Sequence, residues 1–176
     1  MHTLDLDSFN ELLKNTDIKS RVKSELKFVK STEGLANDWS DYELISISDR
    51  TNNKGILLLE PDGELFIVQY ELSRKITDFK TGRSRAVICD FCYTWQPGSN
   101  AASILFSVSS TKSKIGFLCC GDLKCSQHVR SLTKAGIVSR TQLRENMTNE
   151  DRVIRLKNRL RDKITQLELI KVYSSS

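Results

Sequence analysis

Only two histidines occur in the 176 residues, His2 and His128. A catalytic zinc keeps an open position for water and is normally held by three ligands, histidine common among them, so such a centre is not expected. There is no glycine-rich phosphate loop, no Gly-x-Ser-x-Gly elbow, and no cysteine, histidine and asparagine arrangement that would activate a nucleophile. No residues argue for an enzyme. No apolar run approaches the ~18 residues that cross a bilayer, the longest being pieces such as 56–59. Residues 1–7 carry neither the basic nor the apolar part of a signal peptide. The expectation is a cytoplasmic protein with no membrane partner. Internal repeats are also missing.

What is present fits one domain, or one domain with a small appendage. Apolar residues make up 39% and charged residues 28% of the chain, as in a soluble globular protein. The net charge of +5 and a pI near 9.0 suit an acidic partner, either RNA or a protein face. Five cysteines is an odd number, and four of them pair closely: Cys89 with Cys92, then 27 residues, then Cys120 with Cys125. In a chain expected to stay in a reducing compartment, that spacing favours zinc over disulfides. Zinc takes soft ligands in a tetrahedron, and a Cys-x-x-Cys turn offers two sulfurs without strain. A second pair at a helix start gains from the partial positive charge there. Cys89, Cys92, Cys120 and Cys125 are therefore the expected ligands of one structural zinc ion.

Read in order, residues 1–31 look helical, with Phe9, Leu12, Leu13, Ile18, Val22, Leu26 and Val29 at three- and four-residue steps. Asp7 or Ser8 can cap the first piece, and residues 15–17 can break the run. From Tyr42 the period becomes two. Strands are expected at 44–48, 55–60 and 64–70, joined by turns at 52–55 and 61–63, as an antiparallel meander. Residues 71–88 form a basic connection with Arg74, Lys75, Lys80, Arg83 and Arg85. After the first cysteine pair, a turn at 96–100 leads to a strand with Ile104, Phe106 and Val108. A polar hairpin tip follows at 109–114, and a returning strand at 115–118. Asp122 can open a helix to about Leu132. Knuckle, hairpin and helix together describe a treble-clef zinc finger. Residues 134–146 read as an irregular connection. A helix from Thr148 to Leu169 or Ile170 places Val153, Leu156, Leu160, Ile164 and Leu167 on one face, with Arg152, Arg155, Lys157, Arg159, Arg161 and Lys163 opposite. Residues 173–176 read as a frayed end. The fold class is α+β: an antiparallel β-meander with a treble-clef finger, flanked by N-terminal helices and a C-terminal helix.

Two residues compete for the ligand set. Cys119 can stand in for Cys120, but Gly121 eases the turn from strand to helix after Cys120, and Cys119 then faces the other side as a small buried hydrophobe. His128 lies one helical turn beyond Cys125, yet four thiolates already close a structural site. Its expected place is the surface of the short helix. Thioredoxin-like chemistry is not expected, since it needs a βαβ setting.

The block from Cys89 to Arg130, with its Cys-Gly-Asp-Leu-Lys-Cys-Ser-Gln-His-Val-Arg segment, resembles a known family. It looks like the C-terminal treble-clef zinc-finger domain of elongation factor G-binding proteins, which include the fusidic-acid resistance proteins. Arg83 and Arg85 before the knuckle and the Glu-Asp-Arg-Val-Ile-Arg-Leu helix after it look similar too. The resemblance implies a helical segment at 1–34 and an elongation factor G-binding-type domain at 35–173. That domain holds the finger at about 83–134 and a final helix at about 149–170. It implies a cytoplasmic monomer whose zinc (Zn2+) keeps a surface rigid for elongation factor G, with Arg83, Arg85 and Arg130 as candidate contacts and ribosome release or fusidic-acid tolerance as the outcome. The alternative is a zinc-containing protein that binds RNA or the ribosome, using the basic stretches at 74–85 and 152–163. Phe79, Tyr93 and Trp95 are the aromatics placed to stack on bases.

Overall fold

The computed structural model describes residues 1–78, 80–108 and 113–174, with Tyr173 and Ser174 described by their backbone alone. Three short helices, α1 (Leu6–Lys14), α2 (Ser20–Glu25) and α3 (Phe28–Thr32), precede the strands β1 (Leu44–Ser48), β2 (Lys54–Leu59) and β3 (Glu64–Ser73). Then come β4 (Val87–Ile88), β5 (Trp95–Gln96), β6 (Ala101–Ser107), β7 (Lys114–Cys120), α4 (Cys125–Val129), α5 (Lys134–Gln142), α6 (Asn149–Gln166) and β8 (Lys171–Ser174). The main sheet is antiparallel in the order β1-β2-β3-β6-β7, and β8 pairs with the start of β3. β4 and β5 make a separate two-stranded ribbon.

Alternation along the strands gives the sheet two apolar faces. Ile45, Ile47, Ile56, Leu58 and Leu65 point to the side covered by the N-terminal helices, where Phe9, Leu13, Phe28, Trp39 and Tyr42 meet them. Leu44, Leu57, Leu59, Val68, Tyr70 and Leu72 face the other side, toward the cysteines, Leu156 and Leu160 of α6 and Leu167 just beyond it. β2 is therefore buried along five consecutive residues. Phe9 and Phe28 stack at 4.5 Å, whereas Val29, expected on the same stripe, is exposed because α3 begins at Phe28 and turns that residue inward.

Several boundaries differ from the sequence expectation. Residues 134–142 form a helix, not an irregular connection: the Thr133 side chain caps it by accepting from the Gly136 N–H. The helix after the finger starts at Cys125, not Asp122. α6 ends at Gln166, and the chain beyond it re-enters the sheet as β8, where a frayed end was expected. The expected hairpin tip at 109–114 falls, over 109–112, outside the described residues, as do 175–176. Helices α4, α5 and α6 end alike. Ser131, Arg144 and Glu168 take positive φ (57°, 49° and 54°). The next residue's N–H reaches back five positions in each, as in Leu169 to the Ile164 carbonyl at 3.1 Å. With no glycine at any of these three positions, the stop signals were invisible in the sequence.

Gly136 sits where α5 crosses α4, and a Cβ there would lie 2.4 Å from the His128 carbonyl oxygen. Alanine normally stabilises a helix interior by roughly 0.5–1 kcal/mol over glycine. Here the sign reverses: Gly136→Ala is expected to cost about 1–3 kcal/mol through overpacking, read as a lowered midpoint in chemical denaturation.

Candidate metal centre

The first knuckle is built between β4 and β5. The Tyr93 N–H donates to the Cys89 carbonyl at 2.9 Å and the Cys89 N–H to the Thr94 carbonyl at 2.9 Å. The fold-back needs a positive φ at Tyr93 (56°), a costly conformation for a bulky residue. Two arginines of α6 hold it: the Arg155 and Arg159 guanidinium carbons lie 4.8 and 4.9 Å from the Tyr93 ring centroid. Arg159 also donates to the Asp90 carbonyl at 3.1 Å. The second pair comes from the end of β7 (Cys120) and the first residue of α4 (Cys125). In the turn between them the positive φ belongs to Leu123 (53°), not to Gly121. Arg74 pins that turn by donating to the Gly121 carbonyl at 3.0 and 3.2 Å.

All four sulfurs are fully buried and lie within 4.8 Å of one another. The separations are 3.5 Å for Cys92–Cys120, 3.8 Å for Cys89–Cys125 and 4.0 Å for Cys120–Cys125. A regular tetrahedron with ~2.3 Å Zn–S bonds has edges of about 3.8 Å, so the donor set fits one zinc ion. The chemistry agrees. Burial, then neighbouring sulfurs, push the Cys120 thiol well above its ordinary value, and the neighbouring sulfurs do the same to Cys125. Burial also opposes ionising Cys89, but hydrogen bonds from Cys120, Cys125 and Cys92 hold it well below. One thiolate can be accommodated by such sharing; four need a divalent cation. Four sulfurs leave a tetrahedral ion no open position, so the centre is structural.

Polar residues support the sulfurs from behind. Thr94 Oγ1 lies 2.9 Å from Cys92 Sγ and 3.7 Å from Cys120 Sγ. Since it accepts from Gln96 Nε2 at 2.8 Å, its own proton is free for sulfur. Asn100 Nδ2 then donates to Gln96 Oε1 at 2.7 Å. His128 is buried, not on the helix surface. Its ring sits between Asp122 Oδ1 (3.0 Å) and Thr133 Oγ1 (2.5 Å), tying the second knuckle to the cap of α5. Burial opposes ionisation of Asp122, yet the hydrogen bond with His128 keeps its carboxyl below the usual range. Cys119 lies outside the sulfur cluster, buried among apolar side chains, and burial pushes its thiol up.

The candidate partner arginines separate. Arg83 and Arg85 are exposed on an excursion closed by the Thr77–Ser84 bridge. Arg130 is drawn inward instead: Nη1 and Nη2 grip Glu43 at 2.9 and 2.7 Å, and Nη1 also reaches the Ser126 carbonyl. With Ser126 Oγ accepting from the Glu43 and Leu44 N–H groups, it fastens α4 to β1. Arg152, expected on the solvent face of α6, is fully buried. Sequence reasoning missed Gln96 and Glu145, which pairs with the buried Arg152 at 3.2 Å, because nothing local marks them; Thr94, also missed, offered a hint as the second residue past a ligand.

A family model described as the FBP C-terminal treble-clef zinc-finger matches residues 18–167. The chain belongs to that family. Its match spans β1 to β7, both knuckles and all of α6, while α1 precedes it and β8 follows it. No curated protein and no solved structure matches the chain.

Replacing any one of the four ligand cysteines with serine is expected to abolish one-to-one zinc retention, whereas Cys119→Ser retains the metal. Elemental analysis with thiol titration of the purified variants distinguishes the two classes.

Proposed function

We propose that the chain is a zinc-scaffolded binding module whose partner is elongation factor G. The observation that carries this reading is the closed, buried four-sulfur centre beside a solvent-exposed basic excursion bearing Arg83 and Arg85. Such a metal organises a surface and offers no position for a substrate. Membership of the treble-clef family and the resemblance in the 83–130 block support the choice of partner. Arg83 and Arg85 are the proposed contacts, since their guanidinium groups suit a carboxylate-bearing protein face. Arg130 contributes indirectly, by locking α4 against β1. Effects on ribosome release or on fusidic-acid tolerance follow if binding occurs.

An RNA-binding reading loses much of its basis in α6. Arg152 is buried, Arg155 and Arg159 are stacked on Tyr93, Arg161 pairs with Asp62, and Lys163 lies 4.1 Å from the Phe117 ring centroid. Phe79, a candidate stacking residue, lies outside the described residues. No helix among the described residues is long and apolar enough to cross a membrane.

Purified elongation factor G should be captured by the zinc-loaded chain and not by the chelator-stripped chain. Absence of metal-dependent capture sinks the proposal. The double charge reversal Arg83→Glu with Arg85→Glu is expected to weaken capture about tenfold, ~1.4 kcal/mol, with zinc content unchanged.

A further inference from the structure

Arg152 is the largest fully buried side chain among the described residues. A guanidinium carries five N–H donors and stays charged at any physiological pH. Nη1 donates to Ser131 Oγ at 3.0 Å. Nε lies 3.2 Å from Glu145 Oε2, but off the line that a hydrogen bond needs, and Nη2 is buried without an acceptor. Glu145 is not Arg152's alone, because its Oε1 takes Arg155. Arg140 adds a third guanidinium to the same cluster, held by Asn149 and the Met147 carbonyl. One carboxylate thus stands among three positive groups, one of them wholly out of water. Positive charge buried in this excess needs a further negative charge nearby.

The finger supplies that sign. Four thiolates on one divalent ion leave two net negative charges. α6 packs against α4, and Leu156, one turn beyond Arg152, shares its apolar cluster with all four ligand cysteines. Arg155, which shares Glu145 with Arg152, lies 4.8 Å from the ring centroid of Tyr93, the residue that follows the ligand Cys92. We propose that Arg152 is the buried counter-charge of the zinc–tetrathiolate centre, acting on it from the α6 side. It is a positioning residue: it touches no ligand sulfur and acts on the metal through the field at the thiolates. The arrangement makes zinc binding and the seating of α6 two sides of one interaction, since each charge stabilises the burial of the other.

The test measures zinc affinity by competition with a chromophoric chelator, and the pH at which zinc is lost, on the full chain. Arg152→Met keeps the length and removes the charge; it is expected to weaken zinc about 10–100-fold and to move zinc loss to higher pH. Arg152→Lys keeps the charge and should recover most of the affinity. Glu145→Gln should hold zinc as well as the unmodified chain or better, because the guanidinium then faces the thiolates without a competing carboxylate. The double variant Arg152→Met with Glu145→Gln leaves no unpaired carboxylate, so the loss of affinity can be read even where the single variant does not fold. Unchanged affinity in the double variant overturns the proposal. So does a loss in Arg152→Lys equal to that in Arg152→Met, or a loss in Glu145→Gln as large as that of removing Arg152. These outcomes do not depend on whether elongation factor G is captured.

Discussion

Four cysteine sulfurs held within 4.8 Å of one another in a dry interior cannot all be thiolates without a cation between them, and the rest of the architecture is arranged around that requirement. The cysteines arrive from three places: the knuckle between β4 and β5, the end of β7 and the start of α4. Binding one ion therefore fixes the ribbon, the hairpin and the helix relative to each other in one step. The apolar cluster that includes the ligands continues without a break into the sheet and α6. Metal and hydrophobic core are the same structural unit.

The polar residues around the centre extend this rigidity outward. Thr94, Gln96 and Asn100 form a chain behind the sulfurs, and His128 joins the second knuckle to α5 through Asp122 and Thr133. Arg130 and Ser126 carry the linkage to β1, and Arg74 carries it to the β1–β2 turn through the Asn52 carbonyl and Asn53. Buried hydrogen bonds of this kind contribute only about 1 kcal/mol each. Their larger effect is on geometry, because breaking one leaves its partner unsatisfied. A surface displayed on such a frame meets a partner with little ordering cost, which suits the binding role proposed for the exposed excursion of Arg83 and Arg85.

Charge in α6 shows how composition misleads when read by position alone. A stripe of arginines opposite an apolar stripe suggests a solvated basic face, yet Arg152 points inward and Arg155 and Arg159 clamp Tyr93. Only Arg152, Leu156 and Leu160 of this 18-residue helix are buried, and the cations that flank that stripe lie within reach of the finger. Long cationic side chains can lay their stems on apolar surface and still find an acceptor or a ring. The basic character of the chain is thus partly internal, spent on holding the finger.

The amino-acid sequence alone determined the metal, its ligands by spacing, the three strands of the meander and their turns, and the family. Each of these is a local pattern: two close thiol pairs, a period of two, a proline–aspartate–glycine turn. It did not determine α5, whose only signal was the Thr133 cap, or the places where α4, α5 and α6 stop, since Ser131, Arg144 and Glu168 occupy positions where glycine would have marked the end. Tertiary structure decided that the C-terminal segment returns as β8, that His128 is buried between Asp122 and Thr133, that Arg130 answers Glu43 across 87 positions of chain, and that Arg152 is buried beside the finger. All of these depend on partners far away in sequence. A residue's chemistry is written locally, but which charge or cavity it meets is set only when distant segments close on the same core.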